Sequence, residues 1–553
     1  MTQVLAPPDQ QTVHQPEPAR QPASPLRNPR FDALLLAAVT TNLGTVMQGV
    51  ATTWLLLSVT SSAILIALHQ TAAAAPMFLL ILVAGALADV VDRRLLLLLP
   101  LLLMVAVALA LAFVSYLGLI TPASVLLLVF LLGVGSAFNM PAAASSTPEV
   151  VDREQLPPAL SLIGGVISAS AAGGPLLAGL LIGVGGPVSV FLAEVALFAT
   201  AIVVWARWRS GRPAPHLPAE HLAQAVRLGL RYSWYSGPFR GLMIRTSLLA
   251  LAGSSVVALF PLVARESLSV GPGALGGLFA FMGTGSAVGA LAFPSLRKKI
   301  GSDVTVVGAT VISAVGLVGL ATASSFPVFA VALFFVGAAQ STMTTGIISA
   351  AQAALPNWVR GRGLSIYMLH FFAATAIGSV VWGLLANGIG LVLALLVASG
   401  AMLATLVLAQ AYRLGAAEAV DPIAVNMGAF GFVRTGGGGS DPEFNDGPVG
   451  VLVTYTVAGA GAEAFVEAMV DVGRQRRRDG AMQWRLYRDI DAPGRYIEWF
   501  TVATWAEHLR QVERPTASDL GSWASVRPLY RSTHVQHFVA ANARPTARNV
   551  SPG

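Results

Sequence analysis

Apolar runs near or above the roughly 18 to 20 residues that cross a hydrocarbon core of about 30 Å recur from Phe31 to Tyr412, with short polar turns between them. There are twelve. Each predicts a membrane-spanning helix, because a helix satisfies its own backbone hydrogen bonds in lipid. A soluble protein built from such runs would need helices apolar all round and would have no polar faces to offer water. The pattern changes after Arg413. Small residues dominate 414–447, and Gly436 to Gly439 with Ser440 predict a flexible linker. Beyond it, Val449 to Val457 alternates as a strand, Ala462 to Arg478 has helical spacing, and Met482 to Ile490 and Arg495 to Thr504 read as strands. Trp505 to Arg514 follows as a helix and His534 to Val539 as a strand, with some helical pattern near Leu520 to Leu529. The order is β-α-β-β-α-β.

The fold class expected is therefore an all-α polytopic membrane protein of twelve transmembrane helices with a small α+β domain at its C-terminus. The polar, Pro- and Gln-rich residues 1–30 contain no apolar stretch of signal-peptide type and are expected to be a disordered tail. Six-helix halves then span 31–206 and 241–413 around a central loop at 207–240. The linker at 414–447, a soluble domain at 448–541 and a tail at 542–553 complete the chain. Within the central loop, residues 219–235 read as an amphipathic helix with Leu222, Val226, Leu230 and Trp234 roughly aligned and arginines on another face.

Composition agrees: 55% of the 553 residues are hydrophobic and 11% charged, against about 25% charged in soluble domains. The absence of cysteine excludes disulfides, thiolate catalysis and cysteine-ligated metal sites, and no cofactor or metal is expected. The net charge of +7 does not point to nucleic acid, because residues 441–553 hold 13 basic and 13 acidic side chains. The excess lies in the membrane part, where it reports topology. Arg93, Arg94, Arg153, the run from Arg207 to Arg245, Arg297 with Lys298 and Lys299, and Arg360 with Arg362 all fall in alternate loops. The opposite loops, at Gly118 to Pro122, Gly183 to Pro187, Ser324 to Pro327 and Asn387 to Gly390, carry no Lys or Arg, and Arg265 alone breaks the pattern. A multi-pass protein of the inner (plasma) membrane with both termini cytoplasmic is expected.

An internal repeat runs at an offset of 204 residues. Gly85-Ala-Leu-Ala-Asp89 with Arg93-Arg94 recurs as Gly289-Ala-Leu-Ala-Phe293 with Arg297-Lys298-Lys299. The same offset carries Gly133 onto Gly337, Leu160-Ser161 onto Leu364-Ser365, Gly174 onto Gly378 and Gly179 onto Gly383. Duplicated halves separated by an even number of helices share one orientation, which puts a substrate path between them.

The loop Gly85-Ala86-Leu87-Ala88-Asp89-Val90-Val91-Asp92-Arg93-Arg94 resembles the G-x-L-a-D-r-x-G-R-R motif of the major facilitator superfamily, with Val90 and Asp92 as departures. The resemblance implies the two-half major facilitator fold and a gating contact made by Gly85, Asp89, Arg93 and Arg94. Gly165 and Gly174-Pro175-Leu-Leu-Ala178-Gly179 resemble the superfamily's antiporter motif, associated with exporters, in which small residues allow close helix approach. Twelve helices, the stretch from His221 to Tyr232 and a tail beginning Gly450-Val-Leu-Val-Thr-Tyr look like the enterobactin-exporter-like branch, the transmembrane secretion effectors. That branch implies alternating access and export of a siderophore or drug, the antiporter and multidrug-resistance type of efflux, against inward proton flow. Import of a small solute is the alternative. So is a membrane-anchored enzyme, since the tail is similar to the ferredoxin-like plait of small monooxygenases.

Few polar residues lie at membrane depth, and each is a functional candidate by default. Glu194 is the acidic residue well inside an apolar span and the proton-coupling candidate; a structural glutamate, hydrogen-bonded to a neighbouring helix or near the aqueous end, is its other reading. His69 and His370 sit at or inside helix ends, where a polar contact is the simpler role. Asn42, Gln48, Asn139 and Gln340 belong to elements that line the central cavity in the superfamily and are the substrate-contact candidates; interhelical hydrogen bonding is their other reading. In the tail, His508, His534 and His537 are what an enzyme would recruit, yet positions 534 and 537 of one strand face opposite ways. With no catalytic signature, the tail reads as a regulatory or dimerisation domain that self-associates or binds a cytoplasmic partner, and Arg474 to Arg478 as a solvated or lipid-facing basic patch. The partners expected are the lipid bilayer, a small-molecule substrate and protons, with no nucleic acid.

Overall fold

The computed structural model describes residues 25–90, 92–152, 154–207, 222–356, 358–415, 442–458, 461–516 and 519–541. Eleven of its helices are long and apolar enough to cross a membrane. The first five are α1 (Pro29–Val59), α2 (Ala63–Val90), α3 (Arg93–Tyr116), α4 (Pro122–Ala144) and α5 (Leu156–Ala206). After a short helix α6 (Leu222–Tyr235) come α7 (Gly237–Leu268), α8 (Pro272–Ile300), α9 (Ser302–Thr322), α10 (Phe326–Ala354), α11 (Arg360–Ile389) and α12 (Leu391–Ala411).

The 51 residues of α5 would reach about 75 Å at a rise of 1.5 Å each, more than twice a bilayer core. The helix is broken at Gly186, where φ is 69° and ψ is −178°, a conformation that glycine adopts because it has no Cβ. Its counterpart at the 204-residue offset is Gly390, the turn between α11 and α12, with φ 88° and ψ 158°. Twelve crossings thus come from eleven helices. The N-terminal turn Pro25–Arg27 and the start of α1 fall inside the stretch expected to be disordered.

Glycines at the repeat positions mark equivalent crossings. A Cβ at Gly133 of α4 would stand 2.9 Å from the Ala73 carbonyl oxygen of α2, and one at Gly337 of α10 would stand 2.1 Å from that of Met282 in α8. Gly174 lies on Val46 of α1, as Gly378 of α11 lies on Leu251 and Ser254 of α7. The last pair crosses between halves: Gly179 of α5 touches Gly276 of α8, and Gly383 of α11 touches Ile64 and Ala67 of α2. Thr71 Oγ1 of α2 adds a hydrogen bond to the Ala376 carbonyl, 3.0 Å away.

The C-terminal region contains β1 (Val449–Val457), α13 (Ala462–Arg478), β2 (Gln483–Arg488), β3 (Arg495–Val502), α14 (Trp505–Glu513), α15 (Leu520–Val526) and β4 (Tyr530–Val539). The strands form one antiparallel sheet in the order β2-β3-β1-β4, with Val451 opposite both Phe500 and His537. Val449, Val451, Val453 and Tyr455 of β1 are buried with Phe465, Met469 and Val472 of α13. β2 is shorter than its apolar pattern suggested, and β4 begins four residues earlier, at Tyr530, because pairing with β1 extends to Val457. Part of the expected linker also belongs here: Trp505 N–H donates to the Asp446 carbonyl at 2.7 Å and Ala506 N–H to that of Phe444 at 3.0 Å. Gly436 to Gly439 and Ser440 lie outside the described residues.

One expectation is refined and one is corrected: α6 is the amphipathic helix expected, with Leu230 and Trp234 on its exposed side and another face against the bundle. The buried face of α6 is Gly229, Tyr232 and Ser233, whereas Leu230 and Trp234 are 51% and 69% exposed; Leu222 and Val226 have no described side chains. The reason is that Tyr232 hydrogen-bonds the Ala354 carbonyl at 2.9 Å and Gly229 admits Ile366 of α11. The run from Arg474 to Arg478 is not a solvated basic face. Arg476 is buried against Glu498 at 3.1 Å, Arg478 pairs with Asp479 and Asp519 at 2.7 Å, and Arg477 donates to the Trp484 carbonyl at 3.3 Å. Arg474, 62% exposed, remains outside, paired with Asp471. A run of arginines on a helix turns inward when carboxylates of neighbouring elements wait there.

Candidate transport site

A cavity of about 210 Å³ opens between α7, α10 and α11, with Gln70 of α2 on its wall. Gln340 sits on α10 and donates from Nε2 to the Gly253 carbonyl of α7 at 2.9 Å. Thr246, Ser254, Thr344, Tyr367 and Thr375 line it together with Phe371 and Phe372. Several hydroxyls donate to their own helices: Ser254 to the Leu251 carbonyl, Thr344 to that of Gln340 and Thr375 to that of Phe371, at 2.8 to 2.9 Å. Their lone pairs stay available, so the wall presents hydrogen-bond acceptors and aromatic surface. Among the described residues, no Lys, Arg, Asp, Glu or His lines it. Such a lining suits a ligand that is aromatic or amphipathic, carries hydroxyl or amide donors and needs no counter-ion.

Of the four substrate-contact candidates, Gln340 alone lines this cavity. Asn42 donates from Nδ2 to the Ala38 carbonyl of its own helix at 2.8 Å. Gln48 and Asn139 are buried, 1% and 7% exposed, and neither the Gln48 amide nor Asn139 Nδ2 has a hydrogen-bond partner among the described residues. Glu194 is fully buried in the second arm of α5, and its carboxylate likewise has no partner there. His69 Nε2 lies 2.8 Å from Thr52 Oγ1, and His370 Nδ1 donates to the Ile366 carbonyl at 2.9 Å. Pattern reading passed over Gln70, Thr246, Tyr367 and Thr375. The available signal was the adjacency of Gln70 to His69 and the spacing of Tyr367, Phe371 and Thr375, which puts all three on one face of α11.

In the loop motif, the side chains of Gly85, Asp89 and Arg93 lie outside the described residues. Arg94 Nη2 donates to the Ala206 carbonyl at the end of α5, where the helix dipole favours a cation. That contact stays within one half. Asp92, a departure from the family pattern, caps α3 by accepting from Arg94 N–H at 2.8 Å. The α7–α12 half closes the same end with a pair of which the arginine is buried and the aspartate half-buried: Arg245 Nη1 lies 3.0 Å from Asp303 Oδ1, and Asp303 accepts from Leu414 and Gly415 N–H at 2.8 and 3.0 Å. In the antiporter-type motif, Pro175 and Gly179 meet Gly276 of α8, Gly174 meets α1, and Gly165 faces open space. One step further along α5, the Ala171 carbonyl lies against Gly283, where a Cβ would sit 2.0 Å away.

The C-terminal region docks against α6 and the loop between α10 and α11. Arg231 of α6 donates to the Gly480 and Ala481 carbonyls at 3.1 and 3.3 Å. Trp358, between α10 and α11, donates from Nε1 to the Arg514 carbonyl at 3.2 Å, and the Arg514 guanidinium lies 4.7 Å from its ring. Burial pushes the Tyr232 hydroxyl up to about 12. Asp519 is held below the usual carboxylate range because its bonds to Arg478 and Thr516 outweigh its burial. Within the sheet region the His508 and His537 rings are 4.7 Å apart, close to Trp505. His534 is exposed, and among the described residues no three His, Cys, Asp or Glu side chains form a metal-binding group.

The family model described as transmembrane secretion effector matches residues 20–546. The enterobactin exporter EntS of Shigella dysenteriae serotype 1 is 26% identical over 368 residues, 64% of this chain and 85% of that protein. The exporter of the same name from Escherichia coli matches over the same share. Among solved structures, a bacterial homologue of the iron transporter ferroportin in an inward-facing state has a TM-score of 0.54 at 19% identity, covering 71% of this chain and 99% of that one. An auto-inhibited POT family peptide transporter has a TM-score of 0.56 at 14% identity, covering 70% and 97%. Helices, crossings and matches agree: the chain is a multi-pass membrane transporter and belongs to the transmembrane secretion effector family of the major facilitator superfamily.

Proposed function

We propose that the protein exports a small amphipathic molecule, a siderophore or a drug, by alternating access driven by inward proton flow. The observation that carries this reading is the cavity walled by α7, α10 and α11 of one half and Gln70 of the other, with amide, hydroxyl and aromatic groups and no fixed charge. A site whose wall is shared between two halves changes shape when they rock. The enterobactin exporters that the chain resembles give the direction and the class of cargo.

Arg94, Arg297, Lys298, Lys299, Arg360 and Arg362 gather at the end that carries α6 and the sheet, and in this reading that end is cytoplasmic. Gly179 with Gly276, and Gly383 with Ile64 and Ala67, join the halves toward the opposite end. The cavity would then receive cargo from the inside. The C-terminal region is read as a ferredoxin-like domain, from its element and strand order, with a regulatory rather than enzymatic role.

Accumulation of a fluorescent drug and of a radiolabelled catecholate siderophore in energised cells tests this. Cells with the wild type should accumulate less than cells without it, and Gln340→Leu, Asp89→Asn or collapse of the proton gradient should reverse the difference. Higher accumulation with the wild type would mean import. Equal accumulation of every compound would remove the export reading.

A further inference from the structure

Gly44 of α1 lies against Phe198 in the second arm of α5, where a Cβ would be 2.7 Å from the ring. The two segments run in opposite directions, so one turn along each brings Gln48 level with Glu194. Both are buried, and neither the Gln48 amide nor the Glu194 carboxylate has a hydrogen-bond partner among the described residues. A further turn along α1, Thr52 Oγ1 donates to the Gln48 carbonyl at 2.7 Å. That uses its one hydrogen, so His69 Nε2, 2.8 Å away, is the donor to it. The residue after His69 is Gln70, on the cavity wall. A row of polar side chains therefore leads from a closed carboxylate to the edge of the cavity, with no hydrogen bond between Gln48 and Glu194.

A carboxylate out of water needs a partner or a proton. Among the described residues no partner is in reach. The elements packed around Glu194 are α1, α3, α8 and the first arm of α5, and they offer Arg30, Asp32, Arg93, Arg94, Tyr116, Arg297, Lys298 and Lys299, all near helix ends. His69 of α2 is the ionisable group inside the bundle on this line. The other half has nothing like it: at the 204-residue offset Gln48, Thr52, His69 and Glu194 correspond to Ala252, Val256, Gly273 and Ala398. Helix packing alone is met there by apolar residues.

We infer that Glu194, with Gln48 beside it and the Thr52–His69 pair one turn on, is the proton-binding site of the N-terminal half, distinct from the cavity of the C-terminal half and meeting it at Gln70. This rests on the proton-driven reading. A Glu194 oxygen holds the proton while it is closed off and releases it to water when the halves rock, with the Thr52–His69 hydrogen bond fixing the neighbouring side chains rather than carrying the proton. Cargo and proton then occupy different halves and communicate through α2.

Infrared difference spectra of the full-length protein in lipid vesicles, recorded between about pH 5 and pH 9, test the site without any cargo. The wild type should show a carboxylic-acid carbonyl band that titrates, persists in Asp89→Asn and disappears in Glu194→Gln. Glu194→Asp should shift its frequency, which serves if the Gln variant does not fold. His69→Gln should move the midpoint by about one pH unit. A band that does not titrate, that survives in Glu194→Gln, or that is missing from the wild type overturns the proposal. An unmoved midpoint in His69→Gln removes the line to the cavity. If collapsing the gradient leaves accumulation unchanged while the band still titrates, the proton drive fails and the site stands.

Discussion

The two halves share a scaffold and differ in where their polarity lies. In the first half, Gln48, Asn139 and Glu194 are closed off from solvent with polar atoms unmatched. In the second, Gln340, Thr344, Ser254 and Thr375 are hydrogen-bonded to backbone carbonyls and face a cavity. The glycine crossings at 133 and 337, 174 and 378, and 179 and 383 are common to both. Backbone approach is what a duplicated fold has to keep, because a Cβ at these points meets a neighbouring helix. Polar side chains are free to diverge, and in the function proposed above that divergence lets one half serve cargo and the other the proton.

The strongest way to break the comparison is to separate the halves. Gly283→Ala puts a Cβ about 2 Å from the Ala171 carbonyl oxygen and should cost about 3 kcal/mol or more, read as a large fall in thermal unfolding temperature in detergent. Gly165→Ala, in open space on α5, should change stability by no more than about 0.5 kcal/mol. Next in size are the two end contacts. Arg245→Met, at a pair whose arginine is 3% and whose aspartate 31% exposed, should cost about 1.5 to 3 kcal/mol, since Asp303 keeps its two backbone donors. Arg94→Met removes an exposed helix-end contact and should cost about 1 kcal/mol or less. Equal losses would mean that the ends of the halves are held alike.

The functional contrast is smaller in energy and sharper in meaning. Gln340→Leu should weaken efflux of a transported compound about tenfold, about 1.4 kcal/mol. Asn42→Leu should stay within about twofold, since its amide is already spent on Ala38. The reverse ranking would move the cargo site to the first half. Least in size, acid should loosen the C-terminal region. The folded Asp519 carboxyl lies below its ordinary value of 3.8, so its contribution is complete above that pH and is lost as pH falls through the lower folded value. Tryptophan fluorescence of the full chain should change below about pH 4, and Asp519→Asn should remove that step.

Spans and repeat were legible in the sequence because lipid imposes length and apolarity on every crossing, and glycine is the residue that lets helices touch. The break at Gly186 was visible as a Gly-Pro step between two apolar runs. Burial of Glu194 was legible for the same reason. The cavity was not, because Thr246, Ser254 and Thr375 differ little from the other small residues of their helices until three of those helices are brought together. Nor was the fate of Arg474 to Arg478: a sequence gives the charges on a helix, while Glu498 and Asp519, the carboxylates that draw Arg476 and Arg478 inward, come from elements folded far along the chain.

Trp358 and α6 give the docked sheet a mechanical meaning. Arg231 and Tyr232 tie α6 both to the sheet region and to the Ala354 end of α10, and Arg514 grips the loop leading into α11. These fastenings all belong to the half that carries most of the cavity wall. Under the alternating access proposed here, the sheet is carried with that half like a pointer on a dial, and a dye on Arg474, outside the bundle, turns a small rotation of buried helices into a displacement large enough to watch.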